Sequence, residues 1–116
     1  MKASMMLYPV DTIDAALPLF VDGLGLTVKF RDGDRYCALD GGALTIALIA
    51  GEERIVERAA LAFRVDEDDD LYAAMARVVQ AGGSVRVPVQ QGPHEWRAVL
   101  DDANGGLLVL SQKRSA

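Results

Sequence analysis

EWRAVLDDANGGLLVLSQ, residues 95–112, reads as a β-hairpin. Val99 and Leu100 run into Asp101-Asp102-Ala103-Asn104-Gly105-Gly106, and Leu107 to Leu110 lead away from it. Asn and Gly tolerate positive φ, so Asn104-Gly105-Gly106 is expected to close a tight reversal. The strand after the turn is almost wholly apolar, which implies burial on both faces. A sheet with helices on one face and a pocket lining on the other meets that demand.

The chain has 116 residues, enough for one domain's core and too few for two independent ones. With 51% hydrophobic and 25% charged residues it is globular in composition. No apolar run reaches the roughly 18–20 residues that span a bilayer, so no membrane partner is expected. The start, MKASMMLYPV, carries one Lys and an apolar run too short for a secretory signal. Cys37 is alone, so it is expected to be a buried small hydrophobe in a reducing, cytoplasmic setting. The net charge of −5 and the absence of a basic stripe argue against nucleic acid. An acidic surface suits cationic ligands through its long-range field.

Upstream, residues 4–10 form an expected first strand, with Asp11 as N-cap of the helix that follows. Ile13, Leu17, Phe20 and Leu24 recur at helical spacing, and Pro18 predicts a kink or a short, irregular helix. Strands are expected at 27–30, 35–39 and 43–50, separated by Asp32-Gly33-Asp34 and Asp40-Gly41-Gly42. GEERIVER, residues 51–58, reads as a connection. A fifth strand covers 60–65. The acidic run Asp66 to Asp70 reads as the capped entry of a second helix rather than a metal cluster. That helix sets Leu71, Met75, Val78 and Val79 on one face and stops at Gly82-Gly83. A sixth strand at 84–89 and a loop at 90–94 precede the hairpin.

The two halves match in order. Val10-Asp11 corresponds to Val65-Asp66, Val28-Lys29-Phe30 to Val85-Arg86-Val87, and Leu39-Asp40 to Leu100-Asp101. Each half is strand, helix, then three strands, a duplication by pattern.

This order resembles the vicinal oxygen chelate superfamily of glyoxalases, extradiol dioxygenases and bleomycin-resistance proteins. VDTIDAALPLFVDGLGL (residues 10–26) is similar to its first strand-helix segment and EWRAVLDDANGGLLVL to its last hairpin, with Ala103 where many members carry proline. The resemblance implies an α+β fold of two tandem βαβββ modules, about 4–50 and 59–112 with a linker at about 51–58. Their curled mixed sheets would surround a cavity.

It also implies metal-ligand positions near Met5, Thr45 or Ala47, Ala60 and Val109. None of these is His, Asp, Glu or Gln, and thioether, methyl and isopropyl groups do not hold a hard or borderline divalent ion. No metal, cofactor or catalytic residue is therefore expected. Strand parity adds Leu7, Ile49, Ala62, Arg64, Leu107 and Ser111 to the same faces, a mostly apolar lining suited to an organic molecule. Arg64 is the charged group there, an anchor for an anionic ligand or a solvated rim residue. Trp96, with Tyr36 and Phe30, supplies either an aromatic wall or plain packing. His94 is expected at the rim. Together these point to a homodimeric, metal-free small-molecule binder of the bleomycin-resistance type, for an antibiotic or a metabolite. A glyoxalase-like lyase or isomerase using Arg64, His94 and Glu95 is the alternative.

Overall fold

A computed structural model describes residues 1–114. The chain divides into two compact units. The N-terminal unit is Met5–Ala59; the C-terminal unit takes Met1–Ser4 together with the chain from Ala60 onward. Strand β1 (Lys2–Pro9) is therefore shared between them.

In the N-terminal unit β2 (Thr27–Asp32), β3 (Tyr36–Asp40) and β4 (Thr45–Ile49) join β1 in the order β2-β3-β4-β1. β1 and β4 are parallel, from Met5↔Thr45 to Pro9↔Ile49, and the other neighbours are antiparallel. In the C-terminal unit β5 (Ala60–Arg64), β6 (Ser84–Gln91), β7 (Glu95–Asp101) and β8 (Leu107–Lys113) run β5-β8-β7-β6. Again the first and last strands are parallel, Ala60↔Leu107 to Arg64↔Ser111. The fold is α+β with mixed sheets, as the sequence order implies.

The repeat extends to individual hydrogen bonds. Val10 N–H donates to the Ile49 carbonyl at 2.9 Å, and Val65 N–H to the Ser111 carbonyl at 2.8 Å. Register slips between Val28 and Phe30 opposite Leu39-Ala38, and between Val85 and Val87 opposite Leu100-Val99. A bulge at the same place in both halves ties the Val-Lys-Phe and Val-Arg-Val triplets together more firmly than their few identities do.

Helix α1 (Ile13–Leu17) starts at Thr12, whose hydroxyl accepts from Ala15 N–H at 3.1 Å. This corrects the assignment of Asp11 as cap: its carboxylate instead meets Arg54 Nη1 at 3.0 Å. Pro18 has no N–H for the α ladder, and the chain continues as a π-helical segment, Pro18–Gly23, with Leu24 N–H donating to Leu19 C=O at 3.0 Å. The wider turn shifts the helical phase. Ile13 and Phe20 reach the core while Leu24, expected beside them, is exposed.

Helix α2 (Leu71–Gln80) is capped by Asp70, whose carboxylate accepts from Ala73 N–H at 3.0 Å. Arg77 binds the Asp69 carboxylate and holds its pKa below the ordinary range, helped by the backbone N–H of Asp70. The acidic run is thus helix entry in fact. Leu71, Ala74 and Met75 are buried with Val78 packed beside them; Val79, expected on that face, is exposed. The buried stripe follows the 71, 74, 75, 78 spacing and is too narrow to include 79.

β6 runs through Gln90 and Gln91, shortening the expected loop to Gly92–His94. The hairpin is continuous in register from Glu95↔Lys113 to Asp101↔Leu107. Its turn differs from expectation in detail. Positive φ falls on Ala103 (65°) and Gly105 (88°), not on Asn104. The Asp102 carboxylate organises the loop, accepting from Asn104 N–H at 2.7 Å and Gly106 N–H at 2.8 Å.

A left-handed Ala costs about 1–2 kcal/mol relative to ordinary backbone. Ala103→Gly is expected to raise stability by about 0.5–1 kcal/mol after the entropy cost of Gly in the unfolded chain. Asp102→Ala should lower it by about 1 kcal/mol. Urea unfolding of the three proteins checks both signs.

Candidate functional site

Register decides which residues share a face. In the N-terminal unit Ile13, Phe20, Cys37, Leu39, Leu48 and Ala50 pack as a core on the helix side. The partners Met5↔Thr45, Leu7↔Ala47, Ala38↔Ala47, Tyr36↔Ile49 and Phe30↔Ala38 place the alternate residues on the other side. Leu7, Ala38, Ala47 and Ile49 are buried there, and Met5, Thr45 and Tyr36 are half-buried.

Phe30 is 58% exposed, its ring 6.2 Å from that of Tyr36 at a tilt of 51°. The Tyr36 hydroxyl lies 3.9 Å from the Met5 sulfur, and Lys29 Nζ donates to the Thr45 hydroxyl at 2.8 Å. The structure thus brings together Met5, Phe30, Tyr36 and Thr45 from the expected set. It adds Lys29, which sequence reasoning missed. Lys29 sits within the bulge, between Val28 and Phe30 in register, and its ammonium reaches β4. The matching Val28-Lys29-Phe30 and Val85-Arg86-Val87 triplets were its only signal in the sequence.

In the C-terminal unit Val65, Leu71, Ala74, Met75, Ala98, Leu100 and Leu110 pack on the helix side. Ala60, Ala62, Leu107, Val109 and Val99 form the other side and are buried. Beyond them a polar row crosses the sheet, Arg64↔Ser111, Ser111↔Arg97 and Arg97↔Gln90. Arg97 Nη1 meets Glu95 Oε1 at 3.2 Å, both side chains largely shielded from solvent. Gly92 is buried against this pair, where a Cβ would come within 2.3 Å of Glu95 Oε1. Arg97 is another residue outside the expected set.

Trp96 lies on the opposite face. It pairs with Gln112 and shares parity with Ala98 and Leu100, which belong to the α2 core. Gln112 Nε2 donates to the carbonyls of Asp66 and Asp69 at 2.9 and 2.8 Å, on that same helix side. Strand geometry therefore does not bring Trp96 together with Ala60 or Val109. His94 is exposed in the Gly92–His94 turn, its carbonyl accepting from Arg114 N–H at 3.1 Å. Arg64 is exposed at the end of β5. Cys37 is fully buried, and burial pushes its thiol pKa up, away from thiolate chemistry.

A duplicated strand-helix-three-strand unit with parallel first and last strands defines a recognisable class of two-module α+β proteins. Residues 2–110 match the model of the Glyoxalase/Bleomycin resistance protein/Dioxygenase superfamily, and the chain belongs to that family. It is 32% identical over 109 residues to an uncharacterized protein of Mycolicibacterium smegmatis, spanning 94% of this chain and 91% of that one.

Solved structures share the fold at lower identity. A glyoxalase/bleomycin resistance protein/dioxygenase superfamily member from Vibrio splendidus gives a TM-score of 0.68 at 17% identity, over 94% of this chain and 97% of that one. Methylmalonyl-CoA epimerase from Mycobacterium tuberculosis gives 0.65 at 22%, over 98% and 89%. A protein described as NAD-dependent benzaldehyde dehydrogenase from Legionella pneumophila gives 0.78 at 15%, over 95% and 98%. At these identities the likeness speaks for the fold alone.

A divalent ion at the positions implied by the family finds poor donors. Met5 and Thr45 are direct cross-strand partners, offering a thioether and a hydroxyl. Ala60 and Val109 offer only hydrocarbon. Among the described residues no three His, Cys, Asp or Glu converge. The donor set at these four positions does not fit the ion.

Trp96 is 42% exposed, so Trp96→Ala is expected to cost about 1–2 kcal/mol of stability rather than the roughly 3–5 of a core aromatic. Thermal melts of the variant, beside acrylamide quenching of the wild-type indole, check the placement.

Proposed function

We propose that this chain binds a small organic molecule without a metal, by sequestration, in the manner of the bleomycin-resistance branch. One observation carries the reading: the ligand positions that the family resemblance implies fall near Met5, Thr45 or Ala47, Ala60 and Val109, while one face of the N-terminal unit offers Phe30 and Tyr36 as a tilted aromatic pair. Apolar floors with few polar anchors suit binding and orientation better than bond cleavage. Met5 and the two rings give a polarizable surface for a planar or cationic ligand, an antibiotic or a metabolite. Lys29 and Thr45 give it a polar edge.

A second reading, a glyoxalase-like lyase or isomerase, draws support from Glu95. Its carboxylate is shielded and on the same sheet face as Val109. Its carboxylate is occupied by Arg97 at 3.2 Å, which leaves no orienting acid for His94.

The proposal includes a homodimer. β2 and β6 end their units' strand orders and carry exposed Val28 and Val85, and a two-fold pair is the commonest way to cover such surface. A lone buried Cys37 also accords with a reducing, cytoplasmic location.

Elemental analysis of purified protein is expected to find no stoichiometric zinc, iron, manganese or nickel, and native mass spectrometry to find an organic ligand or accept one. One tightly held metal per chain would revive the enzyme reading. Phe30→Ala with Tyr36→Ala should weaken ligand binding by about 1–3 kcal/mol. Light scattering at micromolar concentration should give twice the chain mass; a monomer would remove the dimer from the proposal.

A further inference from the structure

We propose a second site, independent of the aromatic face: a cleft at the end of β5 in which Lys2, Arg64 and Lys113 bind the oxyanion of a small phosphorylated or carboxylated molecule. The cleft has a volume of about 330 Å³ and lies between Lys2–Ser4, Arg64–Glu67 and Lys113.

The chain carries 12 Lys and Arg against 17 Asp and Glu, so carboxylate partners are in excess. Arg31, Arg35, Arg54, Arg58, Arg77, Arg86 and Arg97 each have one. Lys29 donates to Thr45, and Arg114 donates to the Pro93 carbonyl at 3.1 Å. Among the described residues, Lys2, Arg64 and Lys113 are the cations with neither an ion pair nor a hydrogen bond, and all three line one cleft.

Two carboxylates share the cleft. Asp66 is engaged by the N-terminal ammonium at 3.1 Å, so the lining holds three side-chain cations and, besides Asp66, the single carboxylate of Glu67. Like charges around one cleft repel one another, and an anion from outside relieves that repulsion.

The repeat provides an internal control. In the N-terminal unit the positions equivalent to Arg64, Ser111 and Lys113 are Pro9, Ile49 and Gly51. The ladder pairing of Pro9 with Ile49 repeats that of Arg64 with Ser111 without the charge, and Gly51 starts a helical turn where Lys113 continues β8, so the repeated pairing does not by itself call for cations there. The cleft's chemistry is specific too. A guanidinium presents a fork that matches carboxylate or phosphate oxygens in pairs, and two ammonium groups supply point charges beside it.

The test is backbone-amide NMR of the full chain, titrated separately with inorganic phosphate and with succinate at ionic strength held constant by sodium chloride. Saturating shifts confined to residues 2–4, 64–67 and 113 are expected for at least one anion, and which anion saturates distinguishes a phosphoryl from a carboxylate ligand. Arg64→Gln should weaken that binding about tenfold, and Lys113→Gln severalfold, while Arg54→Gln, at a cation already paired with Asp11, leaves it unchanged. Should Arg64→Gln melt abnormally, Lys2→Gln with Lys113→Gln carries the same test. Shifts that never saturate, that spread over the paired arginines, or that persist unaltered in the cleft variants would overturn the proposal. Loss of the Phe30–Tyr36 ligand leaves these outcomes untouched, so the two proposals fail separately.

Discussion

The parallel pairing of first and last strands within each unit is the constraint on which the rest depends. Parallel neighbours cannot be joined by a tight turn. The chain must leave β1, cross over, and return to β4 on the same heading; it does so through a helix and two intervening strands. The same holds from β5 to β8. Val10 N–H on Ile49 and Val65 N–H on Ser111 extend the two ladders identically, just where each chain turns toward its helix. Five paired residues in each ladder then set every side chain's face. A slip of one residue would exchange Ala47 with Leu48 and Val109 with Leu110, sending bulky core groups to the wrong side.

On that common frame the bulge produces different chemistry in the two units. In both, an extra residue sits between the first and third members of a Val-cation-apolar triplet. In one, Lys29 reaches Thr45 beside the Phe30–Tyr36 pair. In the other, Arg86 binds both oxygens of Asp101 at 3.0 Å, and no aromatic ring occupies the place of Phe30. The backbone repeats in the two halves, and the side chains on it differ. The same logic applies to the positions implied for a metal. A family fold does not carry its chemistry with it, because chemistry depends on donor atoms at a few positions. Here those positions hold hydrocarbon, a thioether and a hydroxyl.

The sequence by itself determined the element order, the hairpin and the repeat. Alternation, helical spacing and turn residues are local signals, and EWRAVLDDANGGLLVLSQ carries all it needs to form two strands within a few residues of each other. Pro18 likewise announced an irregular helix through its missing N–H.

Tertiary structure decided the faces and the partners. Ala98, Val99 and Leu100 are all buried, so the strand around them has no polar alternation from which to count, and only the pairing with β8 shows that Trp96 faces the helix side while Arg97 does not. Leu24 and Val79 fit their helical patterns in sequence and still face solvent, because a π-helical turn shifts one phase and a narrow packing stripe limits the other. Lys29 became a site residue through a bulge defined by register. Asp11 and Thr12 are both good caps, and the choice fell to Thr12 while Asp11 binds Arg54, 43 residues away. The gathering of Lys2, Arg64 and Lys113 is equally non-local. Each is an ordinary surface cation in the sequence, and only strand pairing across more than 40 residues places them around one cleft.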